Sequence, residues 1–316
     1  MSSEKTPILQ EKISTIILAA GIGKRMRSRT PKVLHRILGM PLIGFVLMIA
    51  RALHSAQIIL VVNAENDAYA ALGDDLSYAI QPKPLGSGDA ALRGLKAATS
   101  NKALILCGDV PLLKAETVTH LLSYHKQEKA ALTILTCKPQ DPYGYGRIIR
   151  GKNRNITGIV EQTDADDQQQ RITEINAGVY YGEKDLLLSA IEQTTNKNEQ
   201  GEFYLTDAVQ GIAAFGKKVC GYMIEDETEI IGINTKAQLT RVREIVKRDW
   251  FAQLMQRGVY IEDPSTTSID LTVKIGDHVH VRSHTLIEGD TEISDGEIVG
   301  PFVWIKDGKL MKRPAN

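Results

Sequence analysis

Short apolar runs alternate with stretches of helical spacing from residue 15 onward. Residues 15–20 (TIILAA) are apolar and rich in β-branched side chains, the pattern of a buried strand, and they stop at Gly21-Ile22-Gly23. Residues 40–56 are apolar nearly all round, with Pro41 at a first-turn position, which predicts a buried helix against a sheet. A strand at 57–63 follows directly. The alternation goes on with a helix near 65–72, a strand at 77–81, a helix at 87–98, a strand at 103–107 and a helix at 115–126. Strand and helix in turn predict a doubly wound, Rossmann-like α/β sheet.

After a strand at 132–137 the pattern changes to short strands between polar loops, including Tyr143-Gly-Tyr-Gly-Arg-Ile and residues 156–161. This predicts a lobe added to the same domain. A helix at 204–215 comes next. Leu239, Val242, Val246, Trp250 and Leu254 then recur at helical spacing up to Gly258, with Asn234 at the N-cap position. Past Pro264 the period becomes six, with Ile275, Val281, Ile287, Ile293, Val299 and Ile305 all apolar, which predicts coils of a parallel β-helix. The expected organisation is a tail over 1–13, a main domain over 14–234, a connecting helix and linker over 235–264, and a very short coil segment over 265–316.

Composition narrows the function classes. With 43% hydrophobic residues, the 316-residue chain has ample material for a core. Lys plus Arg and Asp plus Glu number 38 each, so no global field favours nucleic acid or an anionic membrane, and any anion site must be local. Cys107, Cys137 and Cys220 lie too far apart for a CxxC metal or redox motif and fit reduced thiols. The first dozen residues contain no apolar signal core, and no run approaches the roughly 20 apolar residues of a membrane span. A soluble, cytoplasmic protein is expected, with neither nucleic acid nor membrane as partner.

In doubly wound sheets ligands bind beyond the carboxyl ends of strands. At the first such place, Gly21-Ile22-Gly23 can point N–H groups at phosphate oxygens, and the cations Lys24, Arg25, Arg27, Arg29 and Lys32 follow. The Walker pattern is excluded because Lys24 is followed by Arg25 rather than Ser or Thr. The dinucleotide fingerprint is excluded because Met26 stands where Gly or Ala is required and residues 41–50 contain no carboxylate. At the second place, Gln81 pairs a side-chain amide with the glycine turn Leu85-Gly86-Ser87-Gly88, and an amide suits the edge of a pyrimidine. At the third, Asp109 follows an apolar strand, where a carboxylate can face a magnesium ion that also holds phosphates; a capped turn explains the same residue without a ligand.

The string LAAGxGxRM over residues 18–26, followed by PKxL over 31–34, resembles the signature of the sugar-nucleotide pyrophosphorylases. GEFYLTD over 201–207 resembles the Gly-Glu-Tyr-Tyr-Ile-Thr-Asp of that group, with Phe203 lacking one hydroxyl. Together with the coil segment, the resemblance sharpens to the bifunctional N-acetylglucosamine-1-phosphate uridyltransferase and glucosamine-1-phosphate acetyltransferase family, whose second half is a long left-handed β-helix. It covers nearly the whole chain and implies a nucleotidyltransferase domain followed by a long helix and a very short left-handed β-helix remnant. It also implies magnesium as cofactor, with UTP and a sugar-1-phosphate as substrates.

Carried over residue by residue, the resemblance makes Leu18, Ala20, Gly21, Gln81, Gly86 and Ser87 nucleotide contacts. Ser87 stands where the family usually has Thr and keeps the hydroxyl. Arg25 and Lys32 would offset charge on the triphosphate, and Gly146, Glu161 and Asn176 would contact the amino-sugar. Asp109 and Asn234 would be the protein's magnesium ligands, although an N-cap role for Asn234 stands equally open. The remaining sequence leaves room for about two coils, too few for acetyl transfer to be expected, while self-association through them is compatible with the family's trimers. His278, His280 and His284 are read as outward-facing polar residues of coil strands and given no site. Two alternatives stay open: a pyrophosphorylase for another hexose phosphate such as glucose-1-phosphate, and a noncatalytic module of the same fold. Retention of Arg25, Lys32, Asp109 and Asn234 speaks against the second.

Overall fold

The structure, a computed structural model, describes residues 11–63 and 67–311. The tail at 1–10, the start of the helix expected near 65–72 and the last residues of the coil segment lie outside the described residues. In chain order, β1 (Ile13–Leu18) leads to a short hairpin, β2 (Arg36–Ile37) and β3 (Met40–Pro41), then α1 (Leu42–Ala52), β4 (Gln57–Val62), α2 (Asp67–Ala70), β5 (Leu76–Ile80) and α3 (Ser87–Ala97). There follow β6 (Lys102–Cys107), α4 (Ala115–Glu128), β7 (Leu132–Cys137), β8 (Arg147–Arg150), β9 (Ile156–Val160), α5 (Asp167–Gln170) and β10 (Ile175–Glu183). Then come α6 (Lys184–Glu192), α7 (Asp207–Ala214), β11 (Val219–Ile224) and α8 (Lys236–Gln256).

The chain divides into two compact units, the first made of Met1–Lys24 with Ile43–Gly232 and the second of Arg25–Leu42 with Ile233–Asn316. In the first, the strands run in the order β11-β7-β10-β6-β1-β4-β5. β1 is central because it is apolar on both faces: Ile16 and Ile17 are fully buried, and its parallel register sets Ile16 opposite both Ile59 and Ile105. α3, α6 and α7 cover one face, their Leu95, Leu187 and Ile212 sharing a core with Ile16, Ile105 and Ile134. α4 lies on the other face, where His125 meets Thr133 at 2.9 Å. Helices on both faces make the sheet doubly wound, as expected.

One strand breaks the parallel pattern. β10 is antiparallel to both β6 and β7. It enters the sheet from the antiparallel β8–β9 pair, its first residue Ile175 pairing antiparallel with Arg147 of β8. This pair is the added lobe that the short strands after 137 predicted.

In the second unit α8 is followed by strands that stack as coils. β12 (Tyr260–Ile261), β13 (Ser268–Ile269), β14 (Lys274–Ile275), β15 (His280–Val281), β16 (Leu286–Glu288), β17 (Glu292–Ile293), β18 (Ile298–Val299) and β19 (Trp304–Lys306) form three narrow parallel sheets. Ile269 stacks on Ile287, which stacks on Ile305, and Ile275 stacks on Ile293. The period of six arises because each coil side turns one apolar residue inward. The chain then doubles back as β20 (Lys309–Leu310), antiparallel to β19, a feature the repeat does not announce.

The histidines need one correction. His280 lies on β15, its ring 4.9 Å from that of Tyr260, but His278 and His284 have positive φ and occupy corners rather than strands. His284 stacks on Phe302 at 4.8 Å.

Candidate active site

The glycine loop leaves the end of β1 as expected. Gly108 N–H donates to the Leu18 carbonyl at 2.9 Å and Ala19 N–H to the Val61 carbonyl at 2.8 Å, so the backbone at the strand end is held by both neighbouring strands. Ala20 is buried and Gly21 exposed. Gly21 has no unusual φ, and a methyl added there would meet no protein atom within 4 Å. Neither strain nor packing within the protein calls for glycine at this position.

Gln81, at the end of β5, is 3% exposed. Its amide nitrogen donates to the Gly86 carbonyl and to Asp89 Oδ2, both at 2.9 Å. The turn that follows is laced to the GEFYLTD segment: Phe203 N–H donates to the Leu85 carbonyl, Gly88 N–H to the Phe203 carbonyl at 2.7 Å, and Leu205 N–H to Ser87 Oγ at 3.0 Å. Gly86 has φ +107° and a Cβ there would sit 2.4 Å from the Phe203 carbonyl oxygen, so only glycine allows this approach.

The next residue continues the connection. Thr206 Oγ1 donates to Glu161 Oε1 at 2.9 Å, joining the turn at 85–88 to the β8–β9 lobe through two adjacent residues. Asn176 N–H donates to the Gly146 carbonyl at 2.9 Å, and its side chain accepts from Gly178 N–H and donates to Tyr180 Oη at 2.6 Å. Asn176 pairs with Thr136 of β7, and the register shifts just after it, before Tyr180. Burial pushes the Glu161 carboxyl up from its ordinary value; the Thr206 hydroxyl opposes this, and Asp207 and Asp164 add to it. Burial also raises the Tyr180 phenol well above its usual range, so it stays a neutral partner for Asn176.

Asp109 follows β6 directly and is half-buried in the first unit. Arg25, Lys32 and Asn234 belong to the second unit. Arg25 is exposed on the 3-10 turn Lys24–Met26. Lys32 Nζ donates to Asn234 Oδ1 at 3.0 Å. Asn234 is not the N-cap of α8: Thr235 is, in a reciprocal capping box with Gln238. Gln238 Oε1 also accepts from Asn234 N–H at 2.8 Å, which fixes the Asn234 backbone while its side chain stays available to Lys32. The Thr-x-x-Gln spacing is itself a capping-box signature, so the sequence carried the signal that moves the cap by one residue.

Residues 15–178 match the MobA-like NTP transferase domain. The chain belongs to that family. The fold and the family make this chain a nucleotidyltransferase. Among curated proteins, the NTP transferase chain is 37% identical over 303 residues to the bifunctional protein GlmU of Halalkalibacterium halodurans, covering 95% of this chain and 67% of that protein. It is 38% identical to GlmU of Caldanaerobacter subterraneus over 95% of this chain and 66% of that protein, and 41% identical to GlmU of Limosilactobacillus fermentum over 83% and 58%. The chain thus spans about two thirds of the length of the first two of these relatives. Among solved structures, the inositol-1-phosphate CTP transferase from T. maritima shares the fold, with a TM-score of 0.59 and 20% identity over 74% of this chain and 94% of that one.

Asp89, Thr206 and Arg147, which hold Gln81, Glu161 and Gln162, are not singled out by the sequence. Arg147 is 2% exposed and holds the loop before β8, donating to the Tyr145 carbonyl and, at 2.7 Å, to Gln162 Oε1, which also accepts Gly144 N–H. Burial lowers its guanidinium from the ordinary value. An Arg beside two isoleucines in a short strand is a visible signal, but Gln162 lies in the turn after β9 and only folding brings it there. Among the described residues, no group of three or more His, Cys, Asp or Glu side chains gathers to hold a metal, and no helix is long and apolar enough to cross a membrane.

Proposed function

We propose that this nucleotidyltransferase moves a uridylyl group from UTP to N-acetylglucosamine-1-phosphate, giving UDP-N-acetylglucosamine and pyrophosphate. The observation that carries the base assignment is the orientation of Gln81. Its nitrogen faces two acceptors, the Gly86 carbonyl and the Asp89 carboxylate, so its oxygen is the atom left to receive an N–H. Uracil offers that N–H at N3, whereas cytosine carries a bare acceptor there. Gly21 supports a phosphate chain beside the loop, since open space above its Cα is what a close ligand needs.

The sugar phosphate is already anionic at neutral pH, so the reaction needs no general base. The difficulty lies in bringing two polyanions into line at the α-phosphorus. Arg25 and Lys32 offset charge on the triphosphate and the departing pyrophosphate. Leu18 and Ala20 shape the loop, and Gly86 with Ser87 completes the turn beside the base. Glu161, Asn176 and the Gly146 backbone contact the acetylated sugar. The polar set is pre-positioned, because Thr206 already orients the Glu161 carboxylate and Gly178 and Tyr180 orient the Asn176 amide.

Magnesium fits the residue types assigned to it: Asp109 would supply a carboxylate, and the Asn234 amide oxygen, which accepts from Lys32 through one lone pair, would offer it the other, with substrate phosphates completing a shell that few protein groups enter. When bound, the ion would neutralise phosphate charge.

Purified protein tests the reading through pyrophosphate release from UTP with N-acetylglucosamine-1-phosphate, run beside glucose-1-phosphate and with metal chelated. Metal-dependent release with the acetylated sugar alone is expected. Release with glucose-1-phosphate alone would replace the sugar assignment, and silence with every sugar phosphate would mean a noncatalytic module.

A further inference from the structure

Within the first unit, Gln81 is the end of a short relay. Arg93 Nε donates to Asp89 Oδ2 at 2.9 Å, and the same carboxylate oxygen accepts from Gln81 Nε2 at 2.9 Å. Arg93 Nη1 also donates to the Ile80 carbonyl at 3.2 Å, which ties the guanidinium to the strand that ends at Gln81. Asp89 and Arg93 stand one turn apart on α3, and the Asp89 side chain is only 13% exposed.

A glutamine amide can turn over and exchange its oxygen for its nitrogen, and this decides whether a nucleobase meets an acceptor or a donor. Here the reversed orientation would set the Gln81 oxygen against the Asp89 carboxylate and the Gly86 carbonyl, two acceptor–acceptor contacts at a nearly inaccessible position. Buried polar groups left without partners are among the more costly defects a fold can carry. The Gly86 carbonyl alone would impose a preference; the carboxylate adds a negative charge to it, and Arg93 holds that carboxylate in place.

We propose that Asp89, held by Arg93, is the positioning residue that sets the pyrimidine preference, by locking the Gln81 amide with its oxygen outward so that a base with an N3–H is accepted and cytosine is rejected. The inference rests on the uridylyl-transfer reading of the site. The fold leaves the base open, since the structurally similar inositol-1-phosphate enzyme is described as a CTP transferase, so the choice has to come from side chains of this kind. Asp89 acts through Gln81 and does not itself touch the substrate.

The test compares kcat/KM for UTP and for CTP, with N-acetylglucosamine-1-phosphate, in the wild type, D89N, R93M, Q81A and the Q81A/D89N double variant. Calorimetric affinities for UTP and CTP are measured on the same proteins without sugar phosphate. D89N is isosteric and removes the carboxylate charge, leaving Gln81 Nε2 a neutral acceptor held only by Arg93, so the UTP-to-CTP preference should fall by about tenfold or more, the scale of one exchanged hydrogen bond. R93M should move the preference in the same direction by less, and it carries the test if D89N does not fold. In the Q81A background D89N should change the preference no further. A wild-type preference retained in both D89N and R93M, or an equal shift with Gln81 absent, overturns the relay while leaving uridylyl transfer intact. A wild type that binds UTP over CTP but releases no pyrophosphate from any sugar phosphate fails the transfer reading alone, and the calorimetric ratios then decide the relay.

Discussion

Lys32 donates its ammonium to the side-chain oxygen of Asn234 at 3.0 Å, across 202 positions of sequence. The second unit therefore presents a cation and an amide as one preorganised pair, held from behind by Gln238 Oε1, which accepts the Asn234 backbone N–H. In this arrangement the ammonium is oriented before any substrate arrives, the condition under which a fixed charge contributes most to a transition state.

Lys32→Met should accordingly lower turnover by about a hundredfold or more, the scale of losing one preorganised electrostatic group. Loss of the partly buried hydrogen bond to Asn234 should itself cost about 1 kcal/mol of stability. Single-turnover kinetics beside a denaturant titration separates the two. A large loss of stability with turnover intact would assign the pair to the scaffold.

Gly21→Ala offers the opposite separation of fold from site. The added methyl meets open space and an ordinary φ, so stability should stay within about 0.5 kcal/mol of the wild type, as for surface substitutions generally. The KM for the nucleotide should rise, and Gly21→Val should raise it further. An unchanged KM in both variants would remove the loop from the phosphate site.

Glu161→Gln should stabilise the protein while weakening sugar binding. Burial raises the Glu161 carboxyl, so the native state holds its proton to higher pH than the unfolded chain does. Above the ordinary carboxylate range the ionised group therefore costs stability, and the neutral amide, which can still accept from Thr206, removes that cost. The difference between variant and wild type should widen as pH rises through the carboxylate range. Melting curves across that range, paired with KM for the sugar phosphate, check both halves.

His125 should make the fold acid-sensitive. Burial, with a smaller contribution from Lys102, depresses its imidazole from 6.5 to about 4. Between these values the unfolded chain binds the proton more readily than the native state, so stability is full above the unfolded value and falls as pH drops through the window. The neutral ring is held at 2.9 Å from Thr133 Oγ1 and lies edge-on against Tyr181. Unfolding free energy measured against pH should lose one proton's worth of slope in that window in His125→Gln, and an unchanged slope would place the acid sensitivity elsewhere.

Much of this was legible in the residues. The apolar run of β1, its stop at Gly21 and the cations that follow are local patterns, and local patterns survive in a linear reading. The period of six also survives, because each coil side turns one residue inward regardless of what lies beyond. The antiparallel course of β10 was not legible, since its direction depends on which strands it lies between rather than on its own residues. Nor was the role of Gly201-Glu-Phe-Tyr, which reads as a helix entry and proves to be the backbone partner of the turn at 85–88. Asn234 shows an intermediate case: its neighbour Thr235 carried a readable capping signal, while its partner Lys32 lay far away in sequence.

The sequence by itself determined the layered α/β class, the glycine and basic loop after the first strand, the coil repeat and the residue types on which a nucleotidyltransferase site is built. The first three follow from periodicity and spacing, which act over a few residues, and the last from the resemblance of short motifs to the sugar-nucleotide pyrophosphorylases. Only the tertiary structure decided that Gln81 turns its nitrogen to Asp89, that Thr206 holds Glu161, and that Lys32 rather than a helix end takes the Asn234 side chain. Each of those choices is a hydrogen bond between groups distant in sequence or on separate elements. A donor's partner is set by where the packed core carries it, and no local propensity encodes that.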